Sequence, residues 1–104
     1  MTPWKVEITA TAEADLTDAA LYIKDVLGSP QAALKLVDEF EDCINRLSLS
    51  PSLRPLVRDE RLALRGYRWV PVGGYMAFYT IDESSRTVYI ERLLYGRSDW
   101  RAVL

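Results

Sequence analysis

The chain contains no histidine and only one cysteine. Without an imidazole there can be no Ser-His-Asp or Cys-His catalytic relay, no zinc site built on histidine, and no side chain whose unperturbed pKa lies near neutrality. Any general acid or base must therefore be a carboxylate, a tyrosine or a lysine whose pKa its surroundings have moved. The lone Cys43 cannot form an internal disulfide, which favours a reducing compartment, and its place in a helical pattern favours a packing role.

Long apolar runs and cofactor motifs are also missing. No run approaches the length of a membrane-spanning helix, and polar residues and a proline interrupt residues 1–10, unlike a signal peptide. We therefore expect a cytoplasmic protein without a membrane partner. No CxxC pair, glycine-rich phosphate loop or metal-ligand spacing occurs, so we expect no cofactor and no metal. With 104 residues, 49% of them hydrophobic, the chain suffices for one core, which predicts one domain over residues 1–104.

Lysine is absent from the second half of the chain. Residues 51–104 carry nine arginines and six acidic residues, whereas residues 1–50 carry four basic and nine acidic residues, and the net charge is −2. Arginine presents a planar fork of donors that matches carboxylate and phosphate, so one interpretation is anion recognition. The other is that these arginines lie on solvated strand edges and pair with the acidic half.

The first half has the pattern of a short strand followed by two helices. Apolar and polar residues alternate over residues 4–9, as in a half-buried strand. Apolar residues then recur twice at helical spacing, with Gly28 as the stop between the helices. Thr11 and Ser29 are the predicted N-caps, since both hydroxyls precede an apolar helical stripe. The short gap between the helices predicts a helical hairpin.

The second half has the pattern of a connector and three strands. Residues 51–61 show no clear period, and the extended pattern begins with residues 62–72. Gly73-Gly74 is a hairpin turn signal, and residues 75–81 and 87–95 are predicted strands. Helices followed by a meander predict an α+β fold, with the N-terminal strand and helical hairpin packed on an antiparallel sheet. The other face of the sheet is expected to meet water or a partner.

The candidate site lies where arginine and tyrosine gather. Its residues are Arg65, Tyr67 and Arg68 on the second predicted strand, Arg92 and Tyr95 on the last, and Arg97 and Arg101 after it. Neighbouring strands would bring several of these together, and arginine with tyrosine is a combination that binds phosphate and stacks on bases. Among these residues, Tyr95 is the one whose presence is least explained by packing in a core, because it lies beside Gly96 and among the arginines.

Two stretches of the chain resemble the RelE/ParE superfamily of toxins. Leu64–Trp100 looks like the C-terminal sheet of these proteins, and Glu13–Phe40 is similar to their N-terminal helical hairpin. The resemblance covers nearly the whole chain and implies the same element order. It implies the toxin of a type II toxin-antitoxin, or plasmid stabilisation, module. Such a toxin forms a hetero-oligomer with an antitoxin encoded beside it, and we expect an acidic or apolar antitoxin segment to cover the hairpin and the arginine-rich half.

The motifs fit the ParE-like branch, whose members poison DNA gyrase. The matching motifs are GYR at Gly66–Arg68, FY at Phe78-Tyr79, R-x-L at Arg92–Leu94, and Asp99. RelE-like members, which cleave mRNA on the ribosome, usually carry an arginine where this chain has Met76, and a thioether cannot stabilise a phosphate. A net charge of −2 also disfavours entry into an anionic ribosomal site. The resemblance therefore favours inhibition of growth by binding gyrase.

The sequence leaves two alternatives open. One is a metal-independent, ribosome-dependent mRNA endoribonuclease, in which Tyr95 and Arg97 assist cleavage. Whether the toxin binds gyrase or cleaves mRNA, the predicted target- or phosphate-binding residues are Arg65, Arg68, Arg92, Arg97 and Arg101. The other alternative is a non-toxic module that persists as a partner of its antitoxin. Gyrase inhibition needs no catalytic base, so it agrees best with the missing histidine.

Overall fold

The computed structural model describes residues 2–104 and has an α+β architecture, in which helices pack on a four-stranded sheet. The predicted fold class is confirmed. The elements are β1 (Lys5–Ile8), α1 (Ala10–Leu21), α2 (Pro30–Leu49), α3 (Glu60–Leu64), β2 (Arg68–Val72), β3 (Tyr75–Asp82), β4 (Thr87–Tyr95) and α4 (Trp100–Val103). A π-helical turn (Tyr22–Val26) continues α1, and a 3₁₀ turn (Pro51–Leu53) follows α2. None of the helices in residues 2–104 has both the length and the apolar character needed to cross a bilayer.

The sheet has the strand order β1-β4-β3-β2. Strands β2, β3 and β4 form the predicted antiparallel meander, whereas β1 pairs in parallel with β4. The sheet is therefore mixed, which corrects the prediction of a purely antiparallel sheet. Alternation of apolar and polar residues does not report strand direction, and the long connection between β1 and β4 permits a parallel pair.

The helix ends agree with the sequence at two of three predicted positions. Gly28 has a φ of +69°, as expected for a left-handed stop. The Ser29 hydroxyl accepts a hydrogen bond from an α2 backbone N–H, which confirms that cap. The prediction of Thr11 as the first cap is wrong, because Thr9 accepts from the Ala12 N–H at 3.0 Å. The Thr9 hydroxyl also donates to a β4 carbonyl, so the start of α1 is attached to the sheet.

The main core lies between the helical hairpin and one face of the sheet. Its largest buried side chain, Tyr79, is fully buried on β3, and its hydroxyl donates to the Pro51 carbonyl at 2.7 Å. Burial raises the pKa of Tyr79 to about 12. This hydrogen bond attaches the 3₁₀ turn that follows α2 to the inner strand β3.

Replacing Tyr79 by phenylalanine tests that attachment. Tyr79→Phe is expected to lower the free energy of unfolding by about 1.5 kcal/mol, because the buried Pro51 carbonyl loses its donor. Urea denaturation followed by circular dichroism measures the change. Tyr95→Phe is the matched control, since that ring is half exposed and should change stability by less than about 0.5 kcal/mol. Equal stability of the two variants would contradict the assigned role of the Tyr79 hydroxyl.

A second apolar cluster covers part of the opposite face of the sheet, over β2 and the adjoining part of β3. It consists of Val57, Leu62, Tyr67, Met76 and Phe78, with Trp69, Leu94 and Trp100 packed against it. The prediction that this face meets water or a partner holds only for the part near β1, where Lys5 and Glu7 have exposed side chains, and is wrong where the second cluster lies. The predicted extended start at Leu62 is also wrong, because Leu62 lies fully buried in α3 and Asp59 caps that helix. A five-residue helix is too short for its period to appear in the sequence.

Candidate functional site

The five arginines predicted to bind a target lie on different elements. Arg68 is on β2 and Arg92 on β4, as predicted, but Arg65 is the C-cap of α3 and not part of a strand. Arg97 lies between β4 and α4, and Arg101 is in α4. The structure brings Arg65 and Arg92 together at one cavity of about 280 Å³, and most of the five are engaged by neighbouring groups of the same chain.

Two of these arginines hold α4 against α3. An Arg65 guanidinium nitrogen donates to the Leu104 backbone oxygen at 2.8 Å. The Arg101 Nε lies 3.6 Å from an Asp59 carboxylate oxygen, and the backbone oxygen of Arg101 accepts a hydrogen bond from Arg61. These contacts are exposed, so each contributes little energy, but together they define where α4 lies.

A third arginine takes part in closing the outer edge of β2. Arg68 donates to the backbone carbonyl of Arg54. The Arg54 Nε in turn donates to the Trp69 carbonyl at 3.1 Å, and its guanidinium stacks over the Trp69 ring. Pro71, further along β2, has no N–H to offer. An edge strand with these features is a poor template for an added strand.

Arg92 forms the most buried ion pair among the described residues. Its Nε and Nη2 donate to the two carboxylate oxygens of Asp15 at 2.8 and 3.1 Å, and the Leu93 backbone N–H donates to the same carboxylate at 3.0 Å. The hydrogen bond that Arg92 donates to Asp15 raises the pKa of the guanidinium. Asp15 lies in α1, so this clamp attaches the helical hairpin to β4. Asp15 was not among the predicted site residues, because nothing in the sequence links it to Arg92.

Tyr95 and Arg97 remain accessible at the end of β4. The Tyr95 ring is 48% exposed and packs edge-on against Tyr75, with 5.5 Å between the ring centroids. Desolvation raises the pKa of Tyr75. Arg97 is exposed and makes no hydrogen bond or ion pair within the described part of the chain. Of the five predicted arginines, it is therefore the one best placed to contact another molecule.

The structure adds an apolar groove that the sequence did not predict. It has a volume of about 630 Å³ and is lined by Tyr22, Ile23, Leu27, Tyr75 and Tyr95. The π-helical turn, closed by the hydrogen bond from the Leu27 N–H to the Tyr22 carbonyl at 3.1 Å, leaves both of these side chains exposed. The sequence signal for this groove is the group of large apolar residues near the end of the first helix, Tyr22, Ile23 and Leu27.

Residues that hold metals or act as nucleophiles are not gathered in this structure. Within residues 2–104 no three carboxylate or cysteine side chains are close enough together to bind a metal ion. Cys43 is buried in the main core, and burial raises the pKa of its thiol to about 11. A thiol with so high a pKa is a packing group and a poor nucleophile.

Comparison with known proteins identifies the family. Residues 6–100 match the family model described as the ParE toxin of the type II toxin-antitoxin system parDE. The toxin-antitoxin complex RelBE2 from Mycobacterium tuberculosis is 27% identical over 91% of this chain and 93% of that chain, with a TM-score of 0.63. The chromosomal ParDE system from P. aeruginosa is 20% identical over 88% of this chain and 95% of that chain, with a TM-score of 0.70. The YoeB/ParE toxin from Agrobacterium tumefaciens is 12% identical over 88% of this chain and 96% of that chain, with a TM-score of 0.60. No curated protein matches the chain. Because the family model spans nearly the whole sequence, the chain belongs to the ParE family of toxins of type II toxin-antitoxin systems.

Proposed function

We propose that this toxin stops growth by binding DNA gyrase, and that an antitoxin encoded beside it neutralises it. The observation that supports gyrase over the ribosome is the burial of Met76. This residue replaces the arginine expected in RelE-like nucleases, and it lies with the fully buried Phe78 in the second apolar cluster. Residues of α3 and α4 cover the sheet at this position, because Leu62 and Trp100 pack in the same cluster.

The arginine contacts support the same proposal. A ribonuclease needs several cations that converge on one phosphate and stabilise the charge that develops there. Here Arg92 is paired with Asp15, whereas Arg65 and Arg68 donate to backbone oxygens of the chain. The net charge of −2 offers no long-range attraction to RNA. Binding of a protein target requires neither a convergent cationic site nor a general base.

Growth and enzyme assays test the target. Induced expression should arrest growth with filamentation and DNA damage, and co-expression of the neighbouring antitoxin should restore growth. The purified toxin should inhibit supercoiling by purified gyrase and leave mRNA intact in a ribosome-programmed translation reaction. Cleaved mRNA with active gyrase would overturn the proposal in favour of a nuclease. Normal growth on induction would instead favour a non-toxic antitoxin-binding module.

Arg97 is the proposed contact with the target. Arg97→Ala is expected to raise the concentration needed for half-inhibition of gyrase about tenfold, as for a charged anchor in a protein interface. Arg58→Ala is the matched control, because Arg58 is also exposed and lies outside the predicted site. If the two variants inhibit gyrase equally, the assignment of Arg97 is wrong.

A further inference from the structure

Positive charge is concentrated around α3 and α4, although the chain as a whole is acidic. Residues 59–68 and 97–104 carry five arginines and three acidic residues, whereas the rest of the chain carries eight basic and twelve acidic residues. The first of these ranges contains α3 and the start of β2, and the second contains α4. Such a surface attracts an anionic partner at short range, even though the net charge is −2.

Three exposed arginines lie where α3 meets α4. Arg61 Nη2 donates to the Arg101 backbone oxygen at 2.7 Å. Arg65 Nη1 donates to the Leu104 backbone oxygen at 2.8 Å. Arg61 and Arg65 are four residues apart, so they leave α3 on the same side, and both reach α4. Arg101 is itself in α4, and its side chain is 60% exposed. We call Arg61, Arg65 and Arg101 the α3–α4 arginines.

Most of the positive charge of the α3–α4 arginines is not neutralised by side chains. Within residues 2–104, the only carboxylate side chain that lies within 4 Å of them is that of Asp59, 3.6 Å from Arg101 Nε. An ion pair this long and this exposed is weak. A guanidinium has five N–H donors, and internal hydrogen bonds occupy no more than two of them on each of these side chains. The remaining donors are available to an anion.

Two of these guanidiniums are also held against aromatic rings. The guanidinium carbon of Arg65 lies 5.0 Å from the centroid of the Tyr67 ring, and that of Arg101 lies 4.3 Å from the centroid of the Trp100 ring. Both rings pack in the second apolar cluster, so they give the arginines a fixed base. A side chain that is oriented before it binds loses less entropy on binding. Because the arginines cover these rings, the surface favours contact with phosphates over stacking of bases on the rings.

We propose that the α3–α4 arginines bind the phosphate backbone of the DNA that gyrase holds. Gyrase acts on DNA, so a toxin that binds the enzyme meets a row of phosphates. Arginine presents a planar fork of donors that matches phosphate, and contacts of this kind do not depend on base sequence. The inference rests on the proposed function and adds DNA to what the toxin recognises.

This contact is compatible with the arguments against a nuclease. Cations spread along a backbone hold DNA in place, whereas cleavage needs cations that converge on one phosphate and stabilise the charge that develops there. Because gyrase itself brings the DNA, the contact also requires no long-range attraction from a chain whose net charge is −2.

Binding to gyrase with and without DNA tests the surface. Biolayer interferometry with immobilised toxin measures the Kd for purified gyrase alone and for gyrase loaded with a linear DNA duplex of random sequence. DNA should lower the Kd of the native toxin about tenfold in about 0.1 M KCl, and this gain should shrink as salt rises, because phosphate contacts release counterions. An equal Kd with and without DNA would overturn the inference.

A matched pair of double variants separates these arginines from other basic residues. Arg61→Gln combined with Arg65→Gln should remove most of the gain from DNA and reduce the slope of log affinity against log salt concentration by about 2. Lys24→Gln combined with Arg46→Gln removes the same charge from exposed positions elsewhere and should keep the gain. Both double variants should bind DNA-free gyrase as the native toxin does.

The other outcomes separate this inference from the proposed function. If Arg61→Gln with Arg65→Gln weakens binding to DNA-free gyrase to the same extent, the arginines contact an acidic protein surface or only hold α4, and the DNA contact is wrong. If this variant keeps the gain from DNA, the DNA contact is wrong while gyrase binding stands. If the native toxin binds gyrase neither alone nor with DNA, the proposed function fails and this inference fails with it.

Discussion

Met76→Arg is expected to lower the free energy of unfolding by about 3 kcal/mol. The substitution restores the side chain that RelE-like nucleases usually carry at this position. In this chain, however, the position is 9% exposed and packs with Leu62 and Phe78 in the second apolar cluster. A guanidinium there either loses its water without gaining a partner or displaces α3 and α4. Urea denaturation measures the loss, and mRNA integrity in a translation reaction should be unaffected.

Two controls separate burial from charge in this experiment. Met76→Leu keeps an apolar side chain of similar volume and should reduce stability by less than about 1.5 kcal/mol. Leu64→Arg adds the same charge at a site that is 85% exposed and should change stability by no more than about 0.5 kcal/mol. If Met76→Arg is as stable as Leu64→Arg, the second cluster does not exclude a cation. A stable Met76→Arg variant that cleaves mRNA would also overturn the argument against a nuclease.

Asp15→Ala is expected to lower the free energy of unfolding by about 2.5 kcal/mol. The variant removes both acceptors of Arg92 and the acceptor of the Leu93 N–H. The side chains of Asp15 and Arg92 are only 16% and 25% exposed, so water replaces these bonds incompletely. Because the carboxylate joins α1 to β4, hydrogen exchange should also increase at the amides of α1.

A double-mutant cycle isolates the contribution of this ion pair. Arg92→Ala alone should cost less than Asp15→Ala, because the Leu93 N–H keeps its acceptor. The double variant should be more stable than the sum of the two losses predicts, by about 1 kcal/mol or more. Simple additivity would show that Asp15 and Arg92 act independently. Asp38→Ala, an exposed α2 change, serves as the surface control.

The sequence predicts the larger elements of this fold and the short strand β1, but it misses α3. The helical hairpin and the meander are long enough for their apolar periods to appear, and Gly28 and Ser29 mark the hairpin's turn correctly. Helix α3 is too short to show a period, and its burial depends on contacts with Met76 and Phe78. The sequence shows the apolar residues of the second cluster but does not predict that they pack together.

The site was harder to predict than the fold because its contacts are distant along the chain. Arginine content directs the prediction to the second half, but the partner of Arg92 is 77 residues away. A bulge opposite Phe78 and Tyr79 also shifts the alternation of β4, so that Ile90 and Leu93 both reach the main core. Composition identifies which groups are available, whereas tertiary contacts decide which of them stay accessible.

The parallel pairing of β1 with β4 has a consequence for how the protein is made. Lys5 lies opposite Thr87, so β1 stays unpaired until β4 has been synthesised. The helical hairpin and the meander can form from local contacts. The pairing of β1 with β4 closes a much longer loop, which costs more conformational entropy, so we expect it to form last. Until then the apolar face of the hairpin lacks part of its cover. The sheet is therefore completed only after nearly all of the chain has been synthesised.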